Sequence, residues 1–125
     1  MPIVDVELVC SSEVEFQSVS AAAVANAIGE VLGCEPGHAW VRLRHLSSEC
    51  YAENQSPLSA AELPVFVTVL HMRLPNEAAL STQVIALTQA IAMVVGRPYE
   101  RVHVQCAPAG AGRQAFGGRL VQPGT

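Results

Sequence analysis

The sequence contains no lysine: all seven basic side chains are arginine, and charged residues make up only 14% of its 125 positions. A soluble domain carries about 25% charged residues. With half of its residues apolar, the chain is expected to hide part of its surface against copies of itself. No run of basic residues occurs, which excludes the electrostatic footprint of a nucleic-acid binder. Paired cysteine motifs are missing too. Cys10, Cys34, Cys50 and Cys106 are scattered, and His38, His45, His71 and His103 show no metal-ligand spacing, so no metal site is expected. No apolar run approaches the ~20 residues of a membrane span. Met1-Pro2-Ile3-Val4-Asp5 lacks the basic n-region of a secretory signal. These absences lead to the expectation of a cytoplasmic protein with reduced thiols and no membrane contact.

What charge there is lies unevenly. Residues 1–62 carry two arginines against nine acids, a net −7, and residues 63–125 carry five against two, a net +3. Guanidinium is a planar, bidentate match to carboxylate and phosphate, which directs attention to small anions.

Hydrophobic patterning predicts strand, helix and strand, twice over. Ile3–Val9 reads as a partly buried strand. Ser12 followed by Glu15 is a capping-box pattern, opening an Ala-rich helix that runs to about Leu32 and closes at Gly33. Ala39–Leu46 alternates, with Val41 and Leu43 on one side and Arg42 and Arg44 on the other. A polar linker covers Tyr51 to Glu62. The second pass begins at Val65–Met72. Asn76 caps a helix with Glu77 in its first turn and a stripe of Leu80, Val84, Leu87, Ile91 and Val94. Gly96 ends that helix, Arg101–Cys106 alternates again, and a Gly/Pro-rich tail holds Phe116-Gly117-Gly118. At an offset of 63 Ile3 falls on Phe66, Val24 on Leu87, Ile28 on Ile91 and Gly33 on Gly96. One β-α-β unit of this size cannot bury its own sheet, so two units, about 1–56 and 64–125, are expected to pack as a pseudo-dimer within one domain. The expected product is an α+β fold with a four-stranded sheet and two helices on one face.

Met1-Pro2-Ile3-Val4, the doubled unit, Gly96-Arg97-Pro98, Val102-His103-Val104 and Phe116-Gly117-Gly118-Arg119-Leu120 together resemble the tautomerase superfamily. That group includes 4-oxalocrotonate tautomerase, 5-carboxymethyl-2-hydroxymuconate isomerase, malonate semialdehyde decarboxylase and macrophage migration inhibitory factor. The resemblance implies a homotrimer without cofactor or metal, acting on a small carboxylate substrate. It also implies that Pro2, once Met1 is removed, is the catalytic residue. A secondary amine titrating near 8 and lowered by an apolar pocket or a nearby arginine can take a proton from carbon and return it elsewhere. Arg42 matches the family's second-strand arginine. Arg73 resembles the first of a carboxylate-binding pair in the decarboxylase and dehalogenase branches, with Pro75 in the second position. His38, Trp40, Phe116 and Arg113 are the further substrate-binding candidates. The helix-start arginine of 4-oxalocrotonate tautomerase is missing, Ser12 standing there. The implied function is a tautomerase or isomerase. The alternatives are a decarboxylase or hydrolytic dehalogenase using protonated Pro2 as an acid, and a non-catalytic trimeric binding module.

Overall fold

The computed structural model describes residues 1–124. Four strands, β1 (Ile3–Cys10), β2 (Trp40–Ser47), β3 (Val65–Leu70) and β4 (Val102–Cys106), form one sheet in the order β2-β1-β3-β4. β1 and β2 are parallel, as are β3 and β4, whereas β1 and β3 are antiparallel, with Ile3 opposite Leu70 and Leu8 opposite Val65. Each β-α-β unit therefore supplies a parallel pair, and the two units join along their first strands to complete the expected four-stranded sheet.

Alternation along the strands divides the sheet into two faces. Val4, Val6 and Leu8 with Val65, Val67 and Val69 are buried, in one core with Val24, Ile28, Leu87 and Ile91 of the helices. The other parity places Asp5, Glu7, Arg42, Arg44, Phe66 and Thr68 outside that core. Burying a Leu or Ile side chain of this kind is worth about 1.5–3 kcal/mol, so this shared row stabilises both units at once.

The first helical stretch differs from expectation. A single helix from Ser12 to Leu32 is replaced by α1 (Glu13–Gln17) and α2 (Ala21–Leu32). Ser18 Oγ donates to the Glu15 carbonyl at 2.6 Å, and Ser20 Oγ accepts from the Ala23 N–H at 3.1 Å, which opens a second helix. Short polar side chains compete with the helical ladder for backbone groups, and Ser18-Val19-Ser20 supplies two of them. Ser12 does cap α1 through the Glu15 N–H at 3.1 Å, but the Glu15 carboxylate reaches back to Ser11 rather than to Ser12.

α3 (Glu77–Val95) starts at Asn76, whose Oδ1 accepts from the Ala79 N–H at 2.9 Å, and ends at Gly96. At 19 residues, with a mean hydropathy of 1.7 over its most apolar 18, it is long and apolar enough to cross a bilayer, closer to a span than the sequence reading anticipated. Its Leu87 and Ile91 are nevertheless in the core against the strands, and a core helix has the same composition as a span.

Arg97, just beyond α3, ties the two units together at one end of the sheet. Its Nη1 donates to the Leu63 carbonyl at 2.8 Å, and its Nη2 donates to the Val9 carbonyl at 2.8 Å and to Glu15 at 2.9 Å. The expected linker is also pinned. Tyr51 Oη donates to Glu53 at 2.6 Å, and Arg101 donates to the same carboxylate at 2.9 Å and to the Glu62 carbonyl. The tail closes as a hairpin of β5 (Ala115–Phe116) and β6 (Arg119–Leu120). Gly117 and Gly118 supply its turn with φ of 56° and 84°, the double positive φ of a tight two-residue hairpin.

Candidate active site

The β1–β3 register fixes the centre of the site. Ile3 faces Leu70 across the antiparallel pair, so one step further brings Pro2, before β1, beside His71, after β3. Met72 and Arg73 follow in sequence. Leu32 at the end of α2, Cys34 just beyond its Gly33 cap, and Gln83 of α3 also contribute. Together with Met1 these residues enclose a cavity of about 270 Å³.

The loop after β4 holds the post-β3 segment in place by continuing the sheet ladder. Ala107 N–H donates to the Val69 carbonyl at 2.9 Å, Gly110 N–H to that of His71 at 2.8 Å, and Ala111 N–H to that of Met72 at 3.0 Å. The approach at Gly110 is close enough that a Cβ there would lie 2.8 Å from the Met72 methyl. Glycine at this position therefore lets the loop seat the backbone from which Arg73 projects.

Two polar groups converge on the cavity beside Pro2. The Arg73 guanidinium donates through Nη2 to the Gln122 carbonyl at 3.0 Å, and no carboxylate of the described residues pairs with it. His71 is only 8% exposed; its Nε2 lies 2.6 Å from Gln83 Oε1, and its Nδ1 is buried with no hydrogen-bond partner. A guanidinium and an imidazole in one small cavity can bind an anion and hold a proton next to it.

The remaining sequence candidates lie around this centre or away from it. Arg42 projects from β2 outside the core and forms a bidentate pair with Asp5, Nε to Oδ1 at 2.6 Å and Nη2 to Oδ2 at 2.9 Å. The hydrogen bond to Asp5, reinforced by its charge, raises the Arg42 pKa further. Arg42 does not line the Pro2 cavity of its own chain. Trp40 is joined to Pro2 by the backbone, its N–H donating to the Pro2 carbonyl at 3.1 Å, while its indole meets Phe116 edge-on at 5.2 Å between ring centres. His38 is exposed in the loop before β2, and Arg113 Nη2 donates to the Ala109 carbonyl at 2.6 Å. Neither touches the cavity.

Sequence reasoning missed His71 and Gln83. A signal for each was present. Val65, Val67, Val69 and His71 share one parity, and Gln83, Leu87 and Ile91 share one helical stripe. Both rows are apolar elsewhere, and each ends in a polar residue at the Pro2 end of the fold.

No protein family and no curated relative matches the chain by sequence. Solved structures do match it by shape. Pt0534 inactivated by 2-oxo-3-pentynoate superposes with a TM-score of 0.72, at 15% identity over 97% of this chain and 95% of that one. A fused 4-OT asymmetric trimer gives 0.71, at 18% identity over 94% of each chain. FG41 malonate semialdehyde decarboxylase inhibited by 3-bromopropiolate gives 0.61, at 19% identity over 92% of this chain and 90% of that one. The chain thus has the fold of the tautomerase superfamily, as the sequence resemblance implied.

Proposed function

We propose that the protein is a cofactor-independent tautomerase or isomerase that moves a proton on a small keto, enol or unsaturated carboxylic acid, with the Pro2 amine as general base. The observation that carries this reading is the meeting of Pro2 and Arg73 in one small cavity. Removal of Met1 would turn the Pro2 nitrogen into a secondary amine at a strand end. A guanidinium close by disfavours its ammonium form and brings it toward neutrality, where an amine both accepts and returns a proton. Arg73 would hold the substrate carboxylate and the enolate charge that develops as the proton leaves. The ligands in two of the similar structures, 2-oxo-3-pentynoate and 3-bromopropiolate, are small unsaturated carboxylic acids, which supports the substrate class.

A homotrimer fits this reading, since a similar fused 4-OT is a trimer. Arg42, outside the core and away from its own cavity, would then serve the pocket of a neighbouring copy. Trp40, Phe116, His38 and Arg113 do not line the cavity of their own chain, so they too would wall or rim a pocket only across such a subunit interface. The likeness to malonate semialdehyde decarboxylase favours a second reading. In it, protonated Pro2 acts as an acid in decarboxylation or dehalogenation.

Intact mass and phenylenolpyruvate ketonisation test the proposal. Mass lacking Met1, turnover that falls as the amine protonates, and loss of about 10²–10⁴ in rate on Pro2→Ala with an unchanged oligomer are expected. Retained Met1, or a free Pro2 without turnover, would sink the isomerase reading. It would leave the acid-catalysed branch or a binding module.

A further inference from the structure

We infer that His71, fixed by Gln83, is the specificity-determining residue of the Pro2 cavity: its Nδ1 accepts a hydrogen bond from a hydroxyl on the carbon next to the substrate carboxylate. This deepens the proposed function and rests on it. The Gln83 oxygen 2.6 Å from Nε2 can only accept, so in the neutral ring the proton sits on Nε2 and Nδ1 keeps a bare lone pair. That nitrogen is buried and unpartnered while Met1 is in place, and His71 and Met1 line the same cavity, so the hydroxyl would reach it once Met1 is removed. A buried acceptor without a partner costs about 1–3 kcal/mol, a penalty that a hydroxyl donor relieves and a ketone oxygen, having no proton, does not.

Of the other acceptors in the cavity, the Gln83 oxygen is engaged by His71 Nε2 and the Pro2 amine is assigned to the proton transfer. Arg73 has only donors, Met72 and Leu32 are apolar, and Cys34 offers only a weakly accepting thiol. Carboxylate and hydroxyl are therefore read by different side chains, Arg73 and His71. The site selects 2-hydroxy and enol acids over halogenated acrylates and simple alkenoates that carry a carboxylate alone. Pro2 stands beside His71 along the β1–β3 register, which puts the base next to the carbon that bears this hydroxyl.

Two inert ligands that differ by one hydroxyl, 3-phenyllactate and 3-phenylpropionate, test the inference by calorimetry on the Met1-processed protein. Phenyllactate is expected to bind about five- to tenfold more tightly, the ratio of one hydrogen bond, and to move the Nδ1 ¹⁵N resonance of His71. His71→Phe should bring the two affinities together, and His71→Asn, which places an amide near the Nδ1 position, should restore part of the difference. Gln83→Leu, with the ring left to choose its tautomer, should weaken the discrimination while the fold persists. Equal affinities in the unaltered protein with an unmoved Nδ1 would overturn the role of His71 and leave the carboxylate site standing. Failure of both ligands to bind would overturn the carboxylate site itself, and the assignment of His71 with it.

Discussion

Gly33 and Gly96, 63 residues apart, end α2 and α3 in the same left-handed conformation, with φ and ψ of 65° and 34° at the first and 69° and 40° at the second. A Cβ at either position would meet nothing within 4 Å, so the demand for glycine is conformational alone. Alanine at each is expected to lower stability by about 1–2 kcal/mol, and asparagine by less. Urea denaturation of the two alanine variants checks this, and nearly equal losses are expected because the two caps share one geometry.

Arg97 is the most buried arginine among the ion pairs of the described residues. Its side chain is 8% exposed and serves two backbone carbonyls as well as Glu15. Arg97→Leu leaves both carbonyls without their donor, and a loss of about 2–4 kcal/mol is expected. Arg97→Lys recovers only part of it, since an ammonium cannot span the same fork. Thermal melts of the two variants separate lost charge from lost geometry.

The same contact gives a pH dependence. Burial pushes the Glu15 carboxyl up, but hydrogen bonds from Ser11 and the Arg97 guanidinium outweigh it and hold the folded-state pKa below the ordinary value. A depressed folded-state pKa contributes stability that is present above the unfolded carboxylate range, about 4.3, and is lost as pH falls through the folded value. Glu15→Gln should therefore be less stable than the parent at neutral pH and should converge on it in acid. Tm measured from pH 7 down to about pH 3 shows the convergence or its absence.

Arg73 should act on substrate capture more than on the chemical step. Arg73→Ala is expected to raise KM by about tenfold or more with a smaller fall in kcat, the pattern of a lost ground-state contact. Arg73→Lys should restore part of the affinity. A fall confined to kcat would instead place Arg73 on the developing oxyanion alone.

Much of the architecture was legible because it repeats. The apolar rows of β1 and β3, the glycine stops and the Asn76 cap are local signals, and each recurs or has a counterpart one unit later. The break at Ser18-Val19-Ser20 was not legible, because the Ala-rich run on either side favours one continuous helix. Only the side chains' competing bonds decide otherwise. At the site, Pro2 and Arg73 were candidates through the family resemblance, and both line the cavity. His71 and Gln83 were not, since their meaning comes from the antiparallel register and the packing of α3, which bring together positions 12 residues apart.

At the offset that relates the two units, Arg97 stands where Cys34 stands, and Cys34 borders the cavity beside Pro2. The pseudo-symmetric sheet thus has two ends built on one plan, but a guanidinium plugs one of them and the other stays hollow. Occupancy should follow this asymmetry. On the proposed function a doubled chain that could have carried two sites carries one, and ligand titration should saturate at a single equivalent per polypeptide. The sealed end supplies rigidity, leaving the open end free to hold unpaired polar groups against its own stability.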